Sequence, residues 1–174
     1  MKVPRSINLL VVGGVFLAAM SAYAGGRSDN SFKAGLSGNQ EVPAISSTGA
    51  GEFRASLRND SLDYSLSYDA LEGTTTVQAH IHIGQKSVNG GVAAFLCGGG
   101  GKPPCPATSG TVEGTITAAD VIGPTGQGVA PGEFAEMIEM MRSGDAYANV
   151  HTNKHPGGEI RGQIKRGGGH GDDD

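Results

Sequence analysis

From Ser31 to Lys165 the apolar residues of this chain recur at every second position, in short runs broken by Gly, Asn, Asp and Ser. A period of two sends alternate side chains to opposite faces of a strand, so such runs build half-buried sheets. "GEFRASLR" (51–58) turns Phe53, Ala55 and Leu57 to one side, and "LDYSLSYDAL" (62–71) does the same with Leu62, Tyr64, Leu66 and Tyr68. Asn59-Asp60 between them reads as a hairpin turn. The other runs of this kind are 31–38, 75–84, 90–97, 110–120, 145–152 and 158–165. Thirty glycines and no tryptophan suit many turns and short elements. About eight strands are expected, in an all-β, antiparallel sandwich or barrel.

One segment has a different period. "PGEFAEMIEMMRSG" (131–144) spaces Phe134, Ile138 and Met141 about a helical turn apart, with Met137 beside them. Pro131 near its start and Gly144 at its end predict a short helix near 132–143. Its methionines read as core filler rather than as thioether ligands for copper.

The first 24 residues carry a basic start (Lys2, Arg5), an apolar run from Ile7 to Met20, and Ala22-Tyr23-Ala24. These are the three parts of a secretory signal peptide, and the apolar run is short for a membrane span. Cleavage after Ala24 leaves one domain, 25–166, and a Gly/Asp tail, 167–174, that reads as solvated. Two of the 13 basic residues lie in the leader, so the remainder carries 11 basic against 17 acidic groups. That excess of negative charge excludes a nucleic-acid partner, which needs clustered Lys and Arg. An exported chain, secreted or periplasmic, with Cys97 and Cys105 bracketing "GGGGKPP" is expected to close them into a local disulfide.

The polar residues that could carry chemistry are few. His80 and His82 are two apart on a predicted strand, so their rings share a face and can offer two nitrogens to one zinc or copper ion. The plain alternative is a pair of hydrogen-bonding strand histidines. His151, on a strand with Tyr147 and Asn149 on its face, would complete a three-histidine site if its strand neighbours theirs. A shared ion with ~2 Å bonds requires the three rings to bring nitrogens within roughly 3–4 Å of one another. His155, in the turn before Pro156, is a fourth candidate ligand. Glu159 and Arg161 share a face and read either as ion-pairing groups, with each other or with neighbouring strands, that fix register at a sheet edge, or as groups that orient a ligand imidazole. Glu41, beside a proline, reads as a loop hydrogen-bonder. No residue stands out as a catalytic acid, base or nucleophile.

"AGLSGNQEVPAISSTGAGEF", "QAHIHIGQKSVNGGVAAFLC" and "AYANVHTNKHPGGEIRGQI", in that order, together resemble the CHRD domain, named after the animal protein chordin. The resemblance covers about residues 32–164 and implies a β-rich, immunoglobulin-like module. Carried over by position, the family's polar landmarks fall on Glu41, His80, His82, Asn89, Gly90, His151, Pro156, Gly157, Gly158, Glu159 and Arg161. At His155 the family carries other residue types, which favours the three-histidine site. "AHIH" is also similar to the paired copper-ligand strand of the Cu,Zn superoxide dismutases, a Greek-key β-fold, although no equivalent of their zinc loop is present here. The expected protein is an exported, non-enzymatic binding module of undefined extracellular or periplasmic partner, with copper or zinc at its histidines. The alternative is a metal-dependent redox enzyme, superoxide-dismutase-like, using the same histidines.

Overall fold

In a computed structural model, which describes residues 30–167, the hairpin at Asn59-Asp60 is the clearest meeting of sequence and structure. Strand β2 (Ala50–Arg58) turns there into β3 (Ser61–Asp69), in register from Arg58–Ser61 to Ala50–Asp69. Asn59 adopts a φ of 51°, a left-handed conformation that Asn tolerates better than most residues. Every second residue of β3 faces the core: Leu62, Tyr64, Leu66 and Tyr68 are all buried. The leader, residues 25–29 and the tail beyond residue 167 lie outside the described residues.

The remaining strands are β1 (Ser31–Ser37), β4 (Thr76–Ile83), β5 (Gly91–Cys97), β6 (Gly110–Ile116), β7 (Ala146–Thr152), β8 (Ile160–Gln163) and β9 (Lys165–Arg166). All pair antiparallel in the order β5-β4-β7-β8-β1-β2-β3-β6, with β9 added on β1. The immunoglobulin-like sandwich suggested by the resemblance is not established by this pairing, because the two halves form one continuous sheet. The join is β8, which pairs with β7 and meets β1 at Ser37–Arg161. A Cβ at Gly162 would overlap the Gly35 carbonyl oxygen, so glycine lets the strands come together there.

The sheet curls until its end strands, β5 and β6, nearly meet. The gap is spanned by side chain and loop: the Tyr64 hydroxyl donates to the Leu96 carbonyl at 2.6 Å, and the Ile122 N–H donates to the Ala93 carbonyl at 2.9 Å. This nearly closed barrel encloses Phe32, Phe53, Leu62, Leu66, Ile81, Ile83, Leu96, Ile116 and Ile160. Near closure protects the polar edges that an open sheet would expose.

Helix α1 (Phe134–Ser143) buries Met137, Ile138 and Met141 in that core, as the spacing predicts. Gly144 ends it in the left-handed conformation. The predicted strand over 110–120 is shorter than its pattern. It stops at Ile116, where the Thr117 N–H and hydroxyl both bond the Asp120 carboxylate and wind 118–120 into a 3-10 turn. Cys97 and Cys105 form the expected disulfide. No helix among the described residues is long and apolar enough to cross a membrane.

Candidate metal centre

From Ala79 onward β4 is buried on both faces, and so is β7. On one face Ala79, Ile81 and Ile83 pair across with Val150, Ala148 and Ala146 and join the apolar core. On the other face the alternation places polar residues side by side. One row across the sheet runs Phe95, His80, Asn149, Arg161 and Ser37. The adjacent row sets His82 against Tyr147, and His151 lies diagonal to His80 across the β4–β7 pair. A half-buried sheet normally leaves this face in water, yet here it is covered. Loop segments 38–49, 84–90 and 152–159 supply the partners of its polar groups.

His80, His82 and His151 converge within this covered layer. Their ring centroids lie 5.3, 5.0 and 5.9 Å apart, and one ligand nitrogen from each falls within 4.8 Å of the others. They are 3, 7 and 7 % exposed. The 4.8 Å spread is wider than the roughly 3–4 Å of a shared ion, so binding requires the rings to rotate inward. The structure therefore brings together three of the four candidate histidines. His155 is the exception: it sits in the turn after β7, beside a surface pocket with Glu41, Pro43, Ile45, Lys154 and Gly158.

The hydrogen bonds fix which nitrogens are available. The Nδ1 of His82 lies 3.0 Å from the Gly90 carbonyl, and the Nδ1 of His151 lies 2.9 Å from the Pro156 carbonyl. A carbonyl only accepts, so both Nδ1 atoms carry the proton and both Nε2 lone pairs are free. Those two Nε2 atoms and Nδ1 of His80 are buried without any hydrogen-bond partner, as is Nε2 of His155, which lies outside the cluster. Unpartnered polar atoms in a protein interior are uncommon and call for a reason. Three imidazoles that converge, with the Nδ1 of two fixed by backbone carbonyls, form an arrangement that could hold a cation.

Burial keeps the rings neutral. It lowers His80 to about 3, with the neighbouring His151 and His82 adding to the effect. Burial likewise takes His82 to about 4, against the Gly90 hydrogen bond, which raises it. His151 is lowered by burial, again against the hydrogen bond to Pro156. Neutral imidazole is the form that binds metal. Both lowered values lie below the unfolded value near 6.5, so in acid the unfolded chain binds more protons than the native one. Stability from these two rings is therefore full above about pH 6.5 and falls as the pH drops toward about 3. Glu41 acts in the opposite sense, since burial raises its carboxyl despite the Asn149 hydrogen bond. Urea melts of metal-free protein are expected to give a lower midpoint at pH 5 than at pH 7.5. A midpoint that rises on acidification would contradict this burial.

A second layer holds the ligands in place. The Arg161 guanidinium, only 1 % exposed, lies over the Tyr147 ring at 3.4 Å, and Tyr147 is itself stacked on His82 at 4.7 Å. Arg161 also donates to the Gln85 and Val88 carbonyls at 3.0 and 2.7 Å and to Asn89 Oδ1 at 3.3 Å. These contacts pin the β4–β5 loop whose Gly90 carbonyl orients His82, and the Gly90 N–H donates to the Tyr147 hydroxyl. A Cβ at Gly90 would overlap the Ile83 carbonyl oxygen, so only glycine fits.

Glu41 accepts from Asn149 Nδ2 at 2.6 Å. Gly158, at a φ of +128°, makes room for that carboxylate. Glu159 does not pair with Arg161 and does not touch the histidines. It is wholly buried and accepts from Ser47, Thr152 and the N–H groups of Glu72 and Gly73. Burial pushes its carboxyl up, but these four donors outweigh that and hold it below the usual range. Of the roles open to Glu159 and Arg161, an ion pair with each other is not formed, because the covering loops give each its own partners. Phe95 was also unforeseen. Its ring packs edge-on to His80 at 4.5 Å, and Gly99 and Gly100 of the disulfide loop lie against it.

The fold and its covered polar face define a nearly closed antiparallel β-domain with a three-histidine cluster. A family model, CHRD domain, matches residues 32–164, and the chain belongs to that family. The span runs from β1 to the end of β8 and includes every residue of the cluster and of its supporting layer. Neither the curated proteins nor the solved structures gave a match.

Proposed function

We propose that this chain is an exported CHRD-type binding module that holds one transition-metal ion, copper or zinc, at His80, His82 and His151. The observation that carries the reading is the convergence of three buried imidazoles, each with a buried ring nitrogen that has no hydrogen-bond partner. Imidazole suits both metals. The ion would be held rather than turned over: the histidines are buried against Phe95 and Tyr147, and the nearby Glu41 carboxylate is engaged by Asn149. Export is supported by the signal-peptide pattern of residues 1–24 and by a disulfide, which persists in oxidising compartments. The metal would brace the covered face of the domain, and the partner would dock elsewhere on its surface.

Elemental analysis with copper and zinc titration of the purified protein tests the reading. About one ion per chain is expected, with none in the His80→Ala/His82→Ala variant. Equal, negligible binding by both proteins would leave the histidines as packing groups and sink the proposal.

A further inference from the structure

The geometry points to monovalent copper as the ion for which the His80/His82/His151 cluster is built. This rests on the metal-binding reading above and names the ion and its charge.

The donor set comes first. Among the described residues the cluster contains three imidazoles and no carboxylate or thiolate. Every ligand is neutral, so the site itself cancels none of the ion's charge. The nearest charged groups in the supporting layer are Arg161 and Glu41, one of each sign. A second positive charge on the ion therefore finds nothing to offset it in a buried site, where the desolvation of charge is most costly.

Coordination number points the same way. Zinc sites held by protein side chains alone are four-coordinate, and three-ligand zinc sites complete the shell with water. Here all three free nitrogens are screened from solvent. Phe95 packs on His80 and Tyr147 on His82, so aromatic rings rather than polar groups flank two of the three imidazoles. Filled-shell Cu(I) is satisfied by three ligands in a plane, and aromatic neighbours suit it. The rings must close in for either ion. Nitrogens about 2 Å from an ion stand roughly 3.3 Å apart at tetrahedral angles and roughly 3.5 Å apart in a flat trigonal array. From a 4.8 Å spread the flat array needs the smaller closure.

The test is a pair of competition titrations on the purified protein. Cu(I), kept reduced with ascorbate so that the disulfide survives, competes against bicinchoninate without air, and Zn²⁺ competes against a chromophoric zinc indicator. The expected result is one Cu(I) per chain, bound at least about a hundredfold more tightly than Zn²⁺, with an X-ray absorption spectrum of three nitrogen neighbours. His82→Gln and His151→Gln, each checked for an intact urea transition, should both lose it. Zinc bound as tightly or more tightly, and lost in the same variants, would overturn the monovalent-copper inference and leave the metal site standing. Absence of stoichiometric binding of either ion, or binding that both variants retain, would overturn the metal site as well.

Discussion

Arg161→Leu is expected to destabilise the protein by about 3–5 kcal/mol, read as a lower urea midpoint at unchanged slope. The guanidinium is almost completely buried and donates to three acceptors on the 84–90 loop, Gln85 O, Val88 O and Asn89 Oδ1, of which Gln85 O also accepts from the Val88 N–H. Leucine fills part of the space but removes the donor that ties this loop down, and each lost hydrogen bond from a charged group costs about 1.5–3 kcal/mol. The stack on Tyr147 is lost with them. Arg161→Lys keeps the charge but neither the fork nor the planar stack, so it should fall between leucine and the wild type. A loss below about 1 kcal/mol for leucine would mean that water replaces the guanidinium, and the covered face would then be wet.

Glu159→Ala is expected to cost a similar amount, about 4 kcal/mol, for a different reason. Its two oxygens receive hydrogen bonds from Ser47, Thr152, Glu72 N–H and Gly73 N–H, which tie the β1–β2 and β3–β4 loops to the end of β7. Alanine strands the donors of three segments at once. Glu159→Gln restores one acceptor and presents an amide to donors, so it should recover only part of the loss. The two sites share no partner, and the Arg161→Leu/Glu159→Ala double variant should show additive losses within about 0.5 kcal/mol. A large coupling would show that the residues act as the ion pair their spacing suggests.

That contrast marks where the sequence was legible. The period of two located the strands and the core face of β3, and the helix spacing located Met137, Ile138 and Met141, because burial against an apolar core leaves a direct trace in hydropathy. His80 and His82 were readable as a same-face pair for the same reason. Whether His151 joined them depended on β7 lying beside β4. Those strands are far apart in sequence, and no local pattern dictates which strands pair. The supporting layer was the least legible part. Gly90 and Pro156 act on the histidines through their carbonyls, and so do Gln85 and Val88 toward Arg161, so no side chain there announces the contact. For Glu159 and Arg161 the spacing left the partners open, since alternation along a strand says which face a residue takes and nothing of the loop that covers it.

The central claim is that three histidines of the covered face share one metal ion, and anomalous diffraction at the copper and zinc edges tests it most directly. Crystals grown after metal loading should show one strong peak about 2 Å from Nδ1 of His80, Nε2 of His82 and Nε2 of His151, with the His82 and His151 hydrogen bonds to Gly90 and Pro156 retained. A loaded crystal whose only peak lies at His155 or at the carboxy-terminal His170 and its aspartates, with the three rings unmoved, would contradict it.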